Sequence, residues 1–412
     1  MNFQLMKLID NLMGKPLCQL LTLYYAFFKK NKGGERMVET INPEKILLIK
    51  FFGIGSIIYI SPSIRLLKSK YPDAKVSFLT FEEHRDLCEM IDEVDTIIPF
   101  KVKGLIHLII EVPLLIFKLR RERFDMVYNF EFHARFPTII SSLCGASEVT
   151  EFHSDFFYKG NLPSKRVVYA LEQHVTDSFK SMVSDNHTQI DQTSLYLNIP
   201  EYDEKFIGSF LTRQGIYTEK TTGSKAFLIA VNINTSGMAH ERRWNVKKFA
   251  NLIELLINNF DMYIFLTGGK GDCEYVNSLK EEFRNNERVI NMAGKLSLKG
   301  LAALYKRCDM VISNDSGPLH VAEAVGTKTV SLFGPETPRH YGPRGENHII
   351  IYKGLPCSPC LSPLNMKSAN CKIGIQCMEL ITVDEVFSAV KSILKPQMDN
   401  GEQRLMKGVH KF

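Results

Sequence analysis

A polar turn between a buried strand and a helix is the segment of the sequence best suited to binding a ligand. It follows the apolar stretch Met310–Ile312. Gly317 lets a ligand approach the backbone, and the proline after it suits the first position of a helix. The free N–H groups at a helix start bind phosphate. The pattern therefore predicts an anion site at Asp315, Ser316, Gly317 and His320, with a well-capped structural helix as the alternative.

A second polar turn carries hydroxyl side chains and is followed by arginine. Thr235 and Ser236 come after the apolar stretch Phe227–Val231, and Arg242 stands shortly before a helix that begins at Val246. A cation next to a helix start opposes the helix dipole, and a bound anion would remove that conflict. Because arginine holds a diphosphate through two hydrogen bonds, we expect this turn to bind phosphate. The alternative is a solvated basic face.

Two glycine-rich turns follow other predicted strands and are weaker signals. Gly268 and Gly269 come after Met262–Leu266, where such a loop can accept the base or ribose of a nucleotide. The turn that contains Gly55 also follows a strand, but Ile58 occupies the third glycine position of a dinucleotide-binding fingerprint. This departure argues against a nicotinamide-dependent enzyme.

Four cysteines lie close together near the end of the chain. They are Cys357, Cys360, Cys371 and Cys377. Four thiolates can hold a structural zinc ion, although these spacings are not those of a standard zinc knuckle. The alternatives are reduced cysteines or a redox-labile pair in a loop.

The elements that position these turns alternate between strands and helices. In the first half, short apolar strands are predicted at Ile46–Ile49, Val76–Thr80, Ile97–Ile98 and Met126–Tyr128, and in the second half strands again alternate with helices. This alternation indicates parallel sheets covered by helices on both faces, with ligands at the carboxyl ends of the strands. The predicted fold is α/β, with two Rossmann-like doubly wound domains facing a central cleft.

The predicted domain boundaries follow from where this alternation fades. The first Rossmann-like domain covers residues 37–197, a connection covers 198–224, and the second domain covers 225–396. A polar tail follows at 397–412.

Residues 1–36 stand apart as an amphipathic segment. Apolar residues recur at helical spacing until Gly14 and Pro16, which are expected to interrupt the helix. The charge-free stretch Leu17–Phe28 is too short to span a bilayer, which needs about 20 apolar residues. A helix in the membrane interface fits, with the lysines that follow directed toward anionic lipid. The alternative is a helix that simply packs on the domain.

The overall composition is that of an ordinary globular protein. The 412 residues are 45% hydrophobic and 23% charged. The formal net charge of +6 suits an anionic ligand or a membrane surface, and no dense basic block or RNA-binding aromatic box marks a nucleic-acid partner. Nine cysteines and no recognisable signal peptide predict a reducing, cytoplasmic location. If the N-terminal segment binds lipid, the protein would lie peripherally on the inner face of the plasma membrane.

Taken together, these motifs resemble glycosyltransferase family 9, the ADP-heptose:lipopolysaccharide heptosyltransferases. The most specific match runs from Asn314 through Gly326 to Pro338, and the resemblance extends from about Lys45 to Leu394. It implies the GT-B fold and an inverting transfer of a sugar, with ADP-heptose as donor and a lipid-linked or glycan acceptor such as the lipopolysaccharide core. It also implies chemistry that requires no metal or other cofactor, and the chain contains no Asp-x-Asp motif.

The resemblance also carries individual roles. It assigns donor-phosphate binding to Ser236 and to Arg242, which stands where the family commonly has lysine. The donor-binding turn comprises Asp315, Ser316, Gly317 and His320.

One departure from the family concerns the group that takes the acceptor proton. The family usually has aspartate after the glycine of the first turn, whereas this chain has Ser56 after Gly55. A serine cannot serve as a base unaided. We therefore predict Glu131, which follows a strand of the first domain, as the base and His133 as the alternate. The structural alternative for Glu131 is an ion pair with Arg135 on the same helical face.

The predicted reaction is attack of an acceptor hydroxyl on the anomeric carbon of a nucleoside-diphosphate sugar. Arg242 and the helix start at Ser316 and Gly317 would stabilise the leaving diphosphate. Two other classes fit the same motifs. A nucleotide-sugar epimerase would turn over the donor without an acceptor, and a non-catalytic nucleotide-sugar binder is favoured by the serine of the first turn.

Overall fold

The chain consists of two compact units, Met1–Leu195 and Tyr196–Phe412. The structure, a computed structural model, describes residues 3–28, 42–153, 157–162, 164–184, 194–216, 226–235, 240–362, 371 and 373–394. The predicted connection at 198–224 contains a helix, Glu201–Arg213, that packs within the second unit.

The first unit is built on one six-stranded sheet. Its strands are β1 (Lys45–Ile49), β2 (Lys75–Phe81), β3 (Thr96–Phe100), β4 (Met126–Asn129), β5 (Glu148–His153) and β6 (Lys165–Val168). Its helices are α1 (Phe3–Ile9), α2 (Lys15–Phe28), α3 (Ile54–Lys70), α4 (Arg85–Cys88), α5 (Leu105–Glu122), α6 (Arg135–Leu143) and α7 (Val175–Ser181). All strand pairs are parallel, in the order β3-β2-β1-β4-β5-β6.

The second unit repeats this design. Its strands are β7 (Phe227–Asn232), β8 (Met262–Thr267), β9 (Val289–Asn291), β10 (Met310–Asn314), β11 (Thr329–Phe333) and β12 (His348–Tyr352). Its helices are α8 (Glu201–Arg213), α9 (Val246–Asn259), α10 (Cys273–Glu282), α11 (Leu298–Arg307), α12 (Gly317–Ala324), α13 (Pro338–Tyr341), α14 (Gln376–Glu379) and α15 (383–394). The parallel order is β12-β11-β10-β7-β8-β9.

Both sheets have the doubly wound order of a Rossmann fold. The chain moves outward over three strands and then returns to pair the fourth strand with the first. The order therefore reverses between β1 and β4 and between β7 and β10, and ligands of such sheets bind where the order reverses. The predicted α/β class is confirmed, and the two candidate regions lie at these two reversals.

Apolar packing holds each sheet in place. In the second unit, Trp244, Phe249 and Leu256 lie in a buried cluster that covers β7, β8 and β10. In the first unit, Leu119 of α5 and Ile140 of α6 pack on the β1 and β4 residues Leu47 and Val127.

The N-terminal helix is wound differently rather than interrupted. A π-helical turn, Asp10–Gly14, joins α1 directly to α2, so Gly14 and Pro16 do not end the helix as predicted. Glycine is needed at position 14 because of a close contact with α6: a Cβ there would lie 2.9 Å from Cβ of Arg135. The carboxylate of Asp10 accepts hydrogen bonds from the backbone N–H groups of Arg135 and Phe136, each at 2.8–3.1 Å, and so caps α6. None of the described helices is long and apolar enough to cross a bilayer.

Candidate functional site

The reversal between β7 and β10 is lined by a network of polar side chains. The amide of Asn232, the last residue of β7, donates to Ser313 Oγ at 3.2 Å and to Ser316 Oγ at 3.0 Å. Asn314 at the end of β10 donates to the carbonyl of Ile233 at 2.9 Å. These bonds fix the two turns relative to each other. The polar turns that the sequence indicated separately are thus parts of one buried network.

Arg242 and Asp315 form a buried ion pair within this network. Nη1 of Arg242 lies 3.1 Å from Oδ2 of Asp315, and both side chains are almost fully buried. The backbone places the arginine, because the N–H of Trp244 donates to Asn314 Oδ1 at 3.0 Å and the indole N–H donates to the carbonyl of Ile381. The structure therefore brings together two residues predicted from different segments. A guanidinium carries five N–H donors in a planar fork, a geometry that suits a carboxylate or a phosphate.

Helix α12 begins at the edge of the same network. Gly317 is its first residue and Ser316 its N-cap, with the proline at the first turn as expected. His320 is buried on the next turn, where its Nδ1 lies 3.8 Å from a carboxylate oxygen of Glu323. Helix α12 therefore starts beside the polar network, and a helix start is a favourable position for a phosphate.

The glycine turn after β8 contacts the network from the other side. A Cβ on Gly268 would lie 2.7 Å from the amide nitrogen of Asn234, which donates to the carbonyl of Thr267 at 2.8 Å. The N–H of Gly269 donates to Asp272 at 2.9 Å. Gly268 is therefore needed for close packing. Thr235 is buried at the end of β7, and Ser236 lies outside the described residues.

The reversal between β1 and β4 of the first unit holds Glu131. One carboxylate oxygen accepts hydrogen bonds from the backbone N–H groups of Phe51 and Phe52 at 2.9 and 2.8 Å. The other lies 2.8 Å from Nζ of Lys50, and both side chains are buried. The expected pair with Arg135 is not formed, because Arg135 pairs with Asp10. Through these contacts the Glu131 side chain holds the first turn, at Phe51 and Phe52, and the Lys50 side chain in place.

The other predicted site residues of the first unit are His133 and the residues of the first glycine turn. The half-buried ring of His133 contacts Phe132 edge-on, with 4.2 Å between ring centroids. Gly55 and Ser56 belong to the first turn of α3, which begins at Ile54, so Gly55 lies inside the helix and not in a turn before it. The bend is confined to Gly53, whose φ of 87° is in the left-handed region that favours glycine.

Two buried cations of the first unit were missed by sequence reasoning. Lys50 is the partner of Glu131, and Nζ of Lys159 donates to the carbonyl of Glu131 at 2.6 Å. Burial lowers the pKa of Lys159. Lys50 directly follows the β1 strand, a position that could have signalled its role, whereas nothing local marks Lys159.

The cysteines near the C-terminus influence one another without forming a metal site. Burial, reinforced by Cys360, Cys371 and Cys357, raises the pKa of Cys377 to about 11. Across the described residues, no group of three or more His, Cys, Asp or Glu side chains is arranged to hold a metal ion. The predicted structural zinc therefore finds no support in these side-chain positions.

Comparison with known proteins relates the chain to one family. The sequence profile of glycosyltransferase family 9 (heptosyltransferase) matches residues 115–369, which is more than half of the chain. The lipooligosaccharide heptosyltransferase 2 of Campylobacter jejuni is 30% identical over 156 residues, 37% of this chain and 47% of that protein. The lipopolysaccharide core heptosyltransferase OpsX of Haemophilus influenzae is 21% identical over 350 residues, 81% of this chain and 94% of that protein. The chain spans about half the length of the Campylobacter relatives that it matches.

Solved structures share the fold. The match to a family 9 glycosyltransferase from Veillonella parvula covers 86% of this chain and 98% of that protein. The sequence identity is 22% and the TM-score is 0.71. The match to the ADP-heptose LPS heptosyltransferase II of E. coli covers 86% of this chain and 99% of that protein. The sequence identity is 19% and the TM-score is 0.68. These likenesses confirm the predicted GT-B fold class.

Proposed function

The chain belongs to glycosyltransferase family 9, and from that membership we propose that it transfers heptose from ADP-heptose to a lipopolysaccharide-core or related glycan acceptor. The acceptor hydroxyl attacks the anomeric carbon as the bond to the diphosphate breaks, so the configuration inverts. ADP leaves, and the acceptor proton passes to a base of the protein. No cofactor takes part in these steps.

The observation that carries the proposal is the polar network between β7 and β10. Negative charge develops on the leaving diphosphate, and a prearranged guanidinium and helix start stabilise such charge without reorganisation. Arg242, held by Asp315, and the N-terminus of α12 are groups of this kind at one edge of one sheet. Ser236 is proposed to bind the donor phosphate as well, because of its position in the family motif.

For the acceptor proton, we propose His133 as the base and Glu131 as the residue that positions the first turn. Both carboxylate oxygens of Glu131 are already engaged, one by two backbone N–H groups and the other by the ammonium of Lys50, which suits a residue that positions the turn. Imidazole is the side chain that most often accepts a proton in enzymes. His133 follows the same strand, with its ring half-buried and both ring nitrogens below the protein surface, so an acceptor must displace part of that cover to reach it.

The N-terminal segment adds a location to this proposal. Residues 1–32 would hold the protein at the cytoplasmic face of the membrane, where a lipid-linked acceptor is found. Support comes from exposed apolar side chains along α1 and α2, such as Leu12, Leu20 and Phe27, and from the lysines that follow α2 in the sequence.

The structural zinc stays a separate prediction, and no step of the reaction depends on it. Metal analysis of the purified protein tests it. About one zinc per chain, lost in Cys357→Ser, would support the site. A chain without stoichiometric metal would leave four reduced thiols.

A two-stage experiment tests the function against its alternatives. Thermal-shift measurements with a panel of nucleotide sugars identify the donor, and ADP release is then followed with and without a lipopolysaccharide-core acceptor. Release that depends on the acceptor supports transfer. Conversion of the donor without acceptor would indicate an epimerase, and binding without any turnover would indicate a non-catalytic binder.

A further inference from the structure

Helix α5 is apolar on two opposite faces. Its inner face, which includes Leu115 and Leu119, packs on the core of the first unit. The outer face carries five large apolar side chains that are 56–77% exposed: Ile106, Ile109, Ile110, Leu114 and Phe117. These positions stand at i, i+3, i+4, i+8 and i+11 and so form one stripe along the helix. A surface helix normally carries polar residues on that side, so this stripe is suited to an apolar partner.

The N-terminal helix carries a matching stripe. Met13, Leu17, Leu20, Tyr24 and Phe27 follow one another at spacings of three and four residues and are 41–74% exposed. The opposite side of this helix is anchored to the unit. Tyr25 donates to the carbonyl of Ser142, and Cys18 is fully buried.

Helix α6 contacts both helices. Near its C-terminal end, Tyr25 of α2 donates to the carbonyl of Ser142, and Arg120 of α5 donates to the next carbonyl, that of Leu143. Met6 of α1 and Val112 of α5 pack against the same apolar cluster of the first unit. The α1–α2 segment and α5 are therefore both anchored to α6 and to one core, through sides other than their exposed stripes.

Exposed apolar side chains are concentrated on this surface. Of the twenty large apolar residues that are exposed in the described part of the chain, thirteen lie on α5 or on the segment from α1 to α2. Cations accompany them. Lys101 and Lys103 precede α5, and Lys118, Arg121 and Arg123 are exposed at its C-terminal end. Apolar stripes bordered by cations match the acyl and anionic layers of a membrane surface.

We propose that α5 and the α1–α2 segment form one composite surface that docks on an anionic lipid bilayer. This inference rests on the membrane location in the proposed function and adds to it a second helix with its own cations. The two apolar stripes insert at the boundary between headgroups and acyl chains, and the cations contact anionic headgroups. A second copy of the chain is less suited to the surface, because the same cations would face one another across a symmetric interface.

Flotation with vesicles measures the contribution of each helix. The α5 variant is Ile106→Gln, Ile110→Gln and Phe117→Gln, and the N-terminal variant is Leu12→Gln, Leu20→Gln and Phe27→Gln. The matched control replaces three exposed apolar residues elsewhere: Val168→Gln, Tyr202→Gln and Phe206→Gln. Substitution is preferable to a chain that begins at Met37, because such a truncation removes Asp10 from the buried Arg135. Thermal unfolding verifies that every variant folds.

Wild type is expected to float with phosphatidylcholine vesicles that contain phosphatidylglycerol, and to float weakly with phosphatidylcholine alone. The α5 and N-terminal variants should each lower the partition coefficient by about tenfold or more, whereas the control should stay within about twofold of wild type. Lys118→Glu with Arg121→Glu should remove the preference for anionic vesicles.

Other outcomes separate this inference from the proposed location. Normal flotation of the α5 variant with loss in the N-terminal variant would overturn the composite surface and leave the N-terminal anchor standing. Absence of wild-type binding to any vesicle would overturn both. If the α5 substitutions instead convert a dimer to a monomer by light scattering, the surface binds a second copy and the lipid proposal is wrong.

Discussion

Among the proposed donor-site residues, we expect donor binding to depend most directly on Arg242. Its guanidinium is buried, held by Asp315, and placed next to the start of α12. Arg242→Ala should weaken binding of ADP by roughly 1.5–3 kcal/mol, the contribution of a hydrogen bond to a charged group. Isothermal calorimetry measures this change.

The neighbouring arginine provides a matched control for that experiment. Arg243 stacks over the ring of Tyr275 at 4.6 Å from its centroid, whereas Arg242 pairs with Asp315. Arg243→Ala should therefore leave ADP affinity nearly unchanged. Equal losses in the two variants would mean that Arg242 has no special role.

Glu131 and His133 have different expected effects on turnover and stability. His133→Ala should lower turnover by about 10²–10⁴-fold with normal stability, as for loss of a general base. Glu131→Gln should lower the melting temperature, and Lys50→Met should lower it in the same way, because each leaves a buried charge without its partner. Kinetics and thermal unfolding, measured on the same preparations, distinguish a catalytic role from a positioning role for each residue. A Glu131→Gln protein of normal stability but without turnover would restore Glu131 as the base.

His84 gives the first unit a dependence on pH. Burial, reinforced by the Lys50 ammonium, lowers the pKa of His84 to about 4. An imidazole in the unfolded chain has a pKa of about 6.5. Between these two values the unfolded state binds more protons than the folded state, so stability is complete above about pH 6.5 and falls as the pH falls toward 4.

The loss is at most about 1.4 kcal/mol per pH unit from this one group. Urea unfolding at pH 7.5 and pH 5 measures it. His84→Gln should show a smaller decrease between the two pH values. An identical decrease in wild type and variant would assign the pH dependence to other groups.

At the scale of elements, the turn after β8 depends on close packing. An added methyl group on Gly268 would meet the amide of Asn234, which joins this turn to β7. Gly268→Ala should destabilise the protein by about 1–3 kcal/mol and weaken nucleotide binding, because the network between β7 and β10 must shift. Denaturant unfolding and calorimetry measure the two effects.

Gly271 in the same loop is the control. No atom outside its immediate neighbours lies within 4 Å of the position of its Cβ, so Gly271→Ala should change neither quantity appreciably. If both substitutions were equally tolerated, the tight contact at Gly268 would not matter for the site.

Strands with continuous apolar residues were predictable from the sequence, and strands that carry charges were not. The strands predicted at Phe227–Val231, Met262–Leu266 and Met310–Ile312 are present to within two residues, because they are almost entirely buried and rich in apolar side chains. β5 and β6 of the first unit were missed. Their sequences, Glu148–His153 and Lys165–Val168, carry charges and pair at or near the sheet edge.

Some features of the candidate site were predictable from the sequence and others were not. Turns at strand ends were predictable because glycine, proline and hydroxyl residues mark them locally, as at Ser316 and Gly317. Their partners were not predictable. The pairs Arg242–Asp315, Lys50–Glu131 and Arg135–Asp10 join residues that are more than seventy positions apart, and only the folded topology brings them together.

At the scale of the whole molecule, the two units share one construction. Each has the same strand order, and each places a buried ion pair at the point where that order reverses. In the second unit this pair lies beside the start of α12, where we propose that the donor phosphate binds, and in the first unit it fixes the turn after β1. The first unit also carries the apolar surface of α1–α2 and α5. These differences fit a donor role for the second unit and an acceptor role for the first.

The most direct test of this account is mass spectrometry of a lipopolysaccharide-core acceptor after incubation with the full chain and ADP-heptose. The account predicts that the acceptor gains one heptose, that ADP appears in equal amount, and that Arg242→Ala greatly lowers both products while Arg243→Ala does not. An unmodified acceptor with an epimerised or unchanged donor, across the nucleotide sugars that the protein binds, would contradict the assignment as a transferase.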